Sequence, residues 1–292
     1  MAAFVDPAVL ASVRDLSLVA RTIVDGFMYG VHQGTLLGVG LEFSQFRSYQ
    51  PGDDPRRIDW KLAARSNRYF VRESETETSI TVRLVLDTSA SMAHEEDGVR
   101  KFSYARMVAA AIATLGHRQG DAVGLVLARS PAPSVIQPSR DPRHIHRLYD
   151  ALERAEPAGA WPGWATVEPL LAGPRGMLLI ISDLHERSDE ITAAASRLAA
   201  LGHEVGVIQV LGPREVTLDY QGAVTLEDLE TGERIECEPA EAAGAYHAAF
   251  EVESARQRDA LVAAGAGLAQ MRTDEPVDGA LRRYLIARTR VA

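Results

Sequence analysis

The residues with the most chemical potential are Asp87-Thr88-Ser89-Ala90-Ser91, three short oxygen side chains at alternate positions directly after the apolar run Leu84-Val85-Leu86. A carboxylate and two hydroxyls in this spacing suit a hard cation such as Mg2+, held in near-octahedral geometry with waters completing the shell. Cysteine and histidine are absent from the group, which disfavours zinc. A second acid in a matching place, Asp183, follows the run Met177-Leu178-Leu179-Ile180-Ile181-Ser182. If the two strands lie side by side, Asp87 and Asp183 straddle one crevice, where paired carboxylates repel unless a cation compensates them. Asp and Ser at strand exits also cap the helix that follows, so a capping role stands beside the metal-binding one. His94 and His185, close to the two acidic loops, read as ordinary loop histidines.

Such groups need a scaffold that presents strand ends along one edge. Residues 80–86, 122–128, 177–182 and 205–210 read as strands, with helices over 102–115, 142–155 and 188–201 between them. Strands alternating with helices of about 10–15 residues predict an α/β fold with a mostly parallel sheet and helices on both faces. Residues 134–137 predict an antiparallel edge strand beside 122–128. Open sheets of this kind bind ligands outside the carboxyl ends of their strands, which is where Asp87 and Asp183 fall. Upstream, Asp6-Pro7 opens an amphipathic helix over 7–27, and residues 30–77, with Pro51-Gly52-Asp53-Asp54-Pro55, read as an irregular arm. Downstream of Gly212-Pro213, short strands are expected at 216–218, 224–226 and 234–237, a long helix over 241–270 and a last one over 280–287.

Composition narrows the class. In 292 residues, 46% hydrophobic and 24% charged content excludes a disordered, collagen-like or disulfide-stapled chain. The net charge of -9 argues against wholesale nucleic-acid binding. A lone cysteine, Cys237, cannot form an internal disulfide and points to a reducing compartment. The longest apolar stretch, residues 107–115, is far below the roughly 20 residues that span a bilayer. The expectation is a cytoplasmic protein without stable membrane insertion. Of the 31 basic residues 29 are arginine, which reads as compositional bias.

Arg56, Arg57, Lys61, Arg65, Arg68 and Arg72 form a positive block interleaved with Trp60, Tyr69 and Phe70. Stacking and phosphate attraction to single-stranded nucleic acid would use such a pattern. Asp53, Asp54, Asp59, Glu73, Glu75 and Glu77 nearly cancel the charge, so ion pairs that fix the arm are the better reading. Gly34, Gly38 and Gly40 lack the strand and Lys-Ser/Thr of a phosphate-binding loop. Ser89 lacks the glycine pattern of a nucleophile elbow. Trp161 and Trp164 flank Pro162-Gly163 and read as packing rather than as interface anchors.

The Asp87-Thr88-Ser89-Ala90-Ser91 segment resembles the metal-ion-dependent adhesion site of von Willebrand factor A-like domains. The preceding block, Phe43-Ser44-Gln45-Phe46-Arg47-Ser48-Tyr49-Gln50-Pro51-Gly52-Asp53-Asp54-Pro55-Arg56-Arg57-Ile58-Asp59-Trp60-Lys61-Leu62-Ala63-Ala64-Arg65 with Phe70-Val71-Arg72-Glu73, resembles the signature of a bacterial family of unknown function whose members accompany MoxR-type AAA+ ATPases. The resemblance implies a Rossmann-type, von Willebrand factor A-like sheet over residues 79–292 with a C-terminal elaboration, and an N-terminal helix and arm over 1–78 packed on it. It implies Mg2+, with Mn2+ or Ca2+ as substitutes, held by Asp87, Ser89, Ser91 and Asp183 and by Thr166 from another loop. Here Gly163-Trp164-Ala165-Thr166 departs from the more usual Gly-Gly-Thr. An open coordination position on such an ion would accept an Asp or Glu of a protein target. The implied function is noncatalytic partnership with a MoxR-type AAA+ ATPase in chaperone-like assembly or maturation, with Arg56, Arg57, Asp59, Trp60, Lys61 and Arg65 as interaction residues. A metal-dependent phosphoester hydrolase and a structural domain without metal are the alternatives.

Overall fold

The computed structural model describes residues 5–35, 45–48, 70–73, 79–185 and 189–289. The chain divides into two compact units, Met1–Phe27 with Ile80–Ala292, and Met28–Ser79. In the smaller unit β1 (Gln45–Ser48) and β2 (Phe70–Glu73) pair antiparallel.

The larger unit is built on strands β3 (Thr81–Asp87), β6 (Ala122–Ala128), β7 (Ser134–Ser139), β8 (Met177–Ser182), β9 (Glu204–Leu211) and β12 (Gly267–Arg272). Their order is β12-β9-β8-β3-β6-β7, parallel throughout except for the edge strand β7. Every residue of β8 is buried, as expected of a central parallel strand covered on both faces. Alternation along the strands sorts the core into two layers. Val82, Leu84, Leu86, Leu179 and Ile181 face one side, while Val85, Leu178, Ile180 and Val207 face the other.

The first layer is covered by α1 (Pro7–Ser12), α2 (Leu16–Thr35), α3 (Lys101–Arg118), α4 (His144–Arg154) and α9 (Val277–Thr289). The alanine-rich α3 is buried over most of its surface because its small side chains let neighbours approach on several sides. The second layer is covered by α5 (Trp164–Val167), α6 (Glu190–Ala200) and α8 (Pro239–Ala263). The expected α/β, von Willebrand factor A-like architecture is therefore present, with helices on both faces of a Rossmann-type sheet.

Three local expectations change. The single helix over 7–27 is two, because Asp15 accepts from the Leu18 N–H at 3.0 Å and starts α2 afresh. Residues 216–218 are not a strand, since Pro213 opens α7 (Pro213–Thr217) and the Glu215 carboxylate accepts from the Gly212 N–H at 2.6 Å. The helix expected to run to 270 stops at Ala263, where Gly265 takes φ +76, a left-handed turn that glycine adopts without strain. The chain then returns as β12. Two short antiparallel pairs complete the larger unit, β4 (Glu95–Glu96) with β5 (Val99–Arg100), and β10 (Val224–Glu227) with β11 (Arg234–Cys237).

Ile180 is 0% exposed and Ile235 is 62% exposed, so truncating them tests which strands carry the fold. Ile180→Ala should lower unfolding stability by about 2–5 kcal/mol. Ile235→Ala should stay within about 0.5 kcal/mol of wild type in the same urea titration. Equal losses would contradict this assignment of the core.

Candidate functional site

β3 and β8 are adjacent and parallel, with Leu86 opposite Ile181, so both chains leave the sheet at the same edge. One step further, Asp87 and Ser182 lie on the same face, and the Ser182 hydroxyl donates to Asp87 Oδ2 at 2.6 Å. Asp87 Oδ1 accepts from the Ser89 N–H at 2.8 Å, which folds the loop back on the strand end. This turn sets the Ser89 and Ser91 hydroxyls 3.0 Å apart. Thr88 points elsewhere, donating to the Ala128 carbonyl at 3.0 Å. The loop is pinned from outside by the 158–160 segment, where Ala90 N–H donates to Gly159 O at 2.8 Å and Ala158 N–H to Thr88 O at 2.9 Å. Gly159 has φ +70, and a Cβ there would lie 2.9 Å from Ser130 O, so this close approach requires glycine.

Asp183 has the opposite parity to Asp87 and Ser182, and its carboxylate meets the start of α3. Lys101, the first residue of that helix, donates to Asp183 Oδ2 and to Glu215 Oε1 of α7, both at 2.6 Å. Lys101 and Asp183 side chains are each 1% exposed, so this is a buried ion pair with a half-buried third member. Gln209 of β9 donates to the Asp183 carbonyl at 3.1 Å and holds the loop from the other flank. His185 Nδ1 lies 3.5 Å from Asp183 Oδ2 on an exposed side chain. His94, which also lines the depression described below, has Nε2 2.8 Å from Glu96 Oε1. Glu96 also accepts from the Arg214 N–H at 2.8 Å and so ties β4 to α7.

The structure thus joins Asp87, Ser89, Ser91 and Asp183 at one sheet edge, with the Ser91 side chain near enough to Asp183 to help hold its carboxyl down. Thr166 sits exposed on α5, and among the described residues no hydrogen bond joins its side chain to the other four. Trp164 is buried and Trp161 packs against the same layer, so both tryptophans serve as core. Arg56, Arg57, Asp59, Trp60, Lys61 and Arg65 lie outside the described residues. Lys101, Ser182 and Glu215 are the site residues that sequence reading missed. Lys101 carries one signal, since only it and Lys61 break a run of 29 arginines among 31 basic residues.

Above the cluster lies an open depression of about 310 Å³, floored by Ser91, Lys101 and Glu215 and walled by the acidic turn Glu227 to Glu230 between β10 and β11. The donors are hard oxygens throughout, two carboxylates and two hydroxyls, which suit Mg2+ chemistry. Among the described residues no three His, Cys, Asp or Glu side chains converge as a metal-holding group. A cation here would therefore depend on the serine hydroxyls and water.

Burial and the anionic Asp183 push the Asp87 carboxyl up to about 7, against the opposing pull of hydrogen bonds from Ser182 and Ser89. For Asp183 burial acts in the raising direction, but the Lys101 ammonium, with His185 and Ser91, overcomes it and holds the carboxyl down at about 2. Among the described residues Asp87 is thus the acid without a counter-cation.

A parallel sheet in this order, with an Asp-x-Ser-x-Ser loop and a second Asp at the next strand exit, defines a von Willebrand factor A-like module. The chain belongs to the family described as "Protein of unknown function DUF58", which matches residues 45–260. Uncharacterized proteins of Mycobacterium bovis and Mycobacterium tuberculosis are 32% identical over 299 residues, covering 98% of this chain and 92% of theirs. Among solved structures, BatB from Bacteroides thetaiotaomicron aligns with TM-score 0.47 at 14% identity, covering 73% of this chain and 100% of that one. The SpRpn10 VWA domain aligns with TM-score 0.42 at 12% identity, covering 69% and 94%. No helix among the described residues is long and apolar enough to cross a membrane.

The raised Asp87 carboxyl makes a signed prediction for the metal-free protein. Between pH 4 and 7 the folded chain holds a proton that the unfolded chain has released, so this group's contribution to stability falls as pH rises through that window. Asp183 acts oppositely, and its contribution is lost only as pH falls from about 4 toward 2. With EDTA present, the Tm difference between Asp87→Asn and wild type should grow in favour of the variant from pH 5 to pH 7.5. The growth should be several degrees, at roughly 2–4 °C per kcal/mol. A difference that is constant across this range in scanning calorimetry would refute the assignment.

Proposed function

We propose that this chain is a noncatalytic interaction module that acts with a MoxR-type AAA+ ATPase in chaperone-like assembly or maturation. The observation that carries the reading is the convergence of Asp87, Ser89, Ser91 and Asp183, from two loops, at one sheet edge beside an open depression, where among the described residues one buried carboxylate lacks a counter-cation. The family and the von Willebrand factor A-like fold support it.

Asp87, Ser89, Ser91 and Asp183 would hold Mg2+, with Thr166 brought in from α5. When bound, the ion supplies a positive point charge with an outward position for an Asp or Glu of a target protein. The chain's own residues do the rest. Ser182 and the Ser89 N–H orient Asp87, the 158–160 segment fixes the serine loop, and Gln209 fixes the loop of Asp183. Arg56, Arg57, Asp59, Trp60, Lys61 and Arg65 are proposed as additional contacts to the ATPase.

The test is association of the full chain with a MoxR-type ATPase of the same organism, measured by biolayer interferometry in Mg2+ and in EDTA. Asp87→Ala and EDTA should each weaken association at least about tenfold, a change of about 1.4 kcal/mol. Melting curves recorded alongside separate loss of binding from loss of fold. Association that neither change affects would overturn the reading.

A further inference from the structure

The ammonium of Lys101 already stands where the sheet edge carries its acids. It rests on Asp183 Oδ2 and Glu215 Oε1, both at 2.6 Å, and its side chain is 1% exposed. Each component is anchored independently. The Lys101 N–H donates to His94 O at 2.9 Å, and α3 behind it is packed through Phe102 and Ala105. Glu215 is held through its other oxygen by the Gly212 N–H at 2.6 Å, and its carbonyl accepts from the Tyr246 hydroxyl at 2.5 Å. Withdrawal of the lysine would leave two carboxylates buried or half-buried without their cation, which is strongly unfavourable.

We propose that Lys101 is the resident cation of this edge, which occupies Asp183 and thereby sets how tightly a divalent ion is held. The inference rests on the functional reading above, in that it concerns the same Mg2+. An ion that shares Asp183 Oδ2 sits within a few Å of the ammonium and is repelled by it. The ion is then confined to Asp87, Ser89, Ser91 and the remaining Asp183 oxygen, and its hold is weak. Lysine suits the position because a compact ammonium fits between two single carboxylate oxygens, whereas a planar guanidinium seeks a bidentate partner. In a chain with 29 arginines among 31 basic residues, a lysine at this point meets that geometric demand.

The test compares Mg2+ and Mn2+ binding by isothermal titration to the full wild-type chain and to Lys101→Met/Glu215→Gln. The double variant removes one positive and one negative charge together, and melting curves in Mg2+ and in EDTA check that it folds with Asp183 deprived of its ammonium. Its Kd for Mg2+ should be at least about tenfold lower than wild type, because Asp183 is released while the net charge is unchanged. Lys101→Met alone should melt lower than wild type in EDTA and recover more on adding Mg2+ than wild type gains. Equal ion affinity of wild type and double variant overturns the inference alone. Absence of ion binding in both overturns it together with the metal part of the functional reading, which the association experiment tests separately.

Discussion

Carboxylates held almost out of water at neighbouring strand ends must be neutralised, hydrogen-bonded or protonated, and the carboxyl edge of this sheet is organised by that demand. Asp87 and Asp183 are 3% and 1% exposed, and they meet the demand in different ways. Strand parity turns Asp183 toward α3, where an ammonium is available, and turns Asp87 toward Ser182 and the backbone of its own loop. One acid is thus firmly ionised and the other balanced near neutrality.

The rest of the unit serves to keep that edge in place. The continuous apolar strands β3 and β8 bury both faces and leave no freedom of register, so their exits stay opposite one another. The alanine-rich α3 lies deep enough for its first residue to reach the acids across the sheet. The C-terminal elaboration does more than cover the core. α7 delivers Glu215 to the lysine and its backbone to Glu96, and the turn between β10 and β11 puts acidic side chains over the depression. The edge and its depression are therefore built from both the shared sheet and the added segments.

Legibility followed the range of the physical cause. Residues 177–182 and 122–128 read correctly as strands because unbroken apolar runs bounded by polar residues have few other uses. Asp87, Ser89 and Ser91 were visible because a loop of five residues fixes their neighbourhood locally. The end of α8 at Gly265 was misjudged because a helical pattern continued in composition past a residue whose left-handed backbone stops it. The link from Lys101 to Asp183 spans 82 positions and that to Glu215 spans 114, so no local pattern carries it.

By itself the sequence determined the alternation of strands and helices, the exits at which the acids stand, and the hydroxyls beside them, since each follows from side-chain periodicity and turn chemistry over a few residues. Only the tertiary structure decided that Asp183 faces a lysine while Asp87 faces a serine, and that Thr166 lies exposed on α5. Those outcomes depend on which face of each strand a side chain takes and which helix end is packed against it. Both are properties of the assembled layers, because charge compensation in a buried site is settled by distances across the core rather than along the chain.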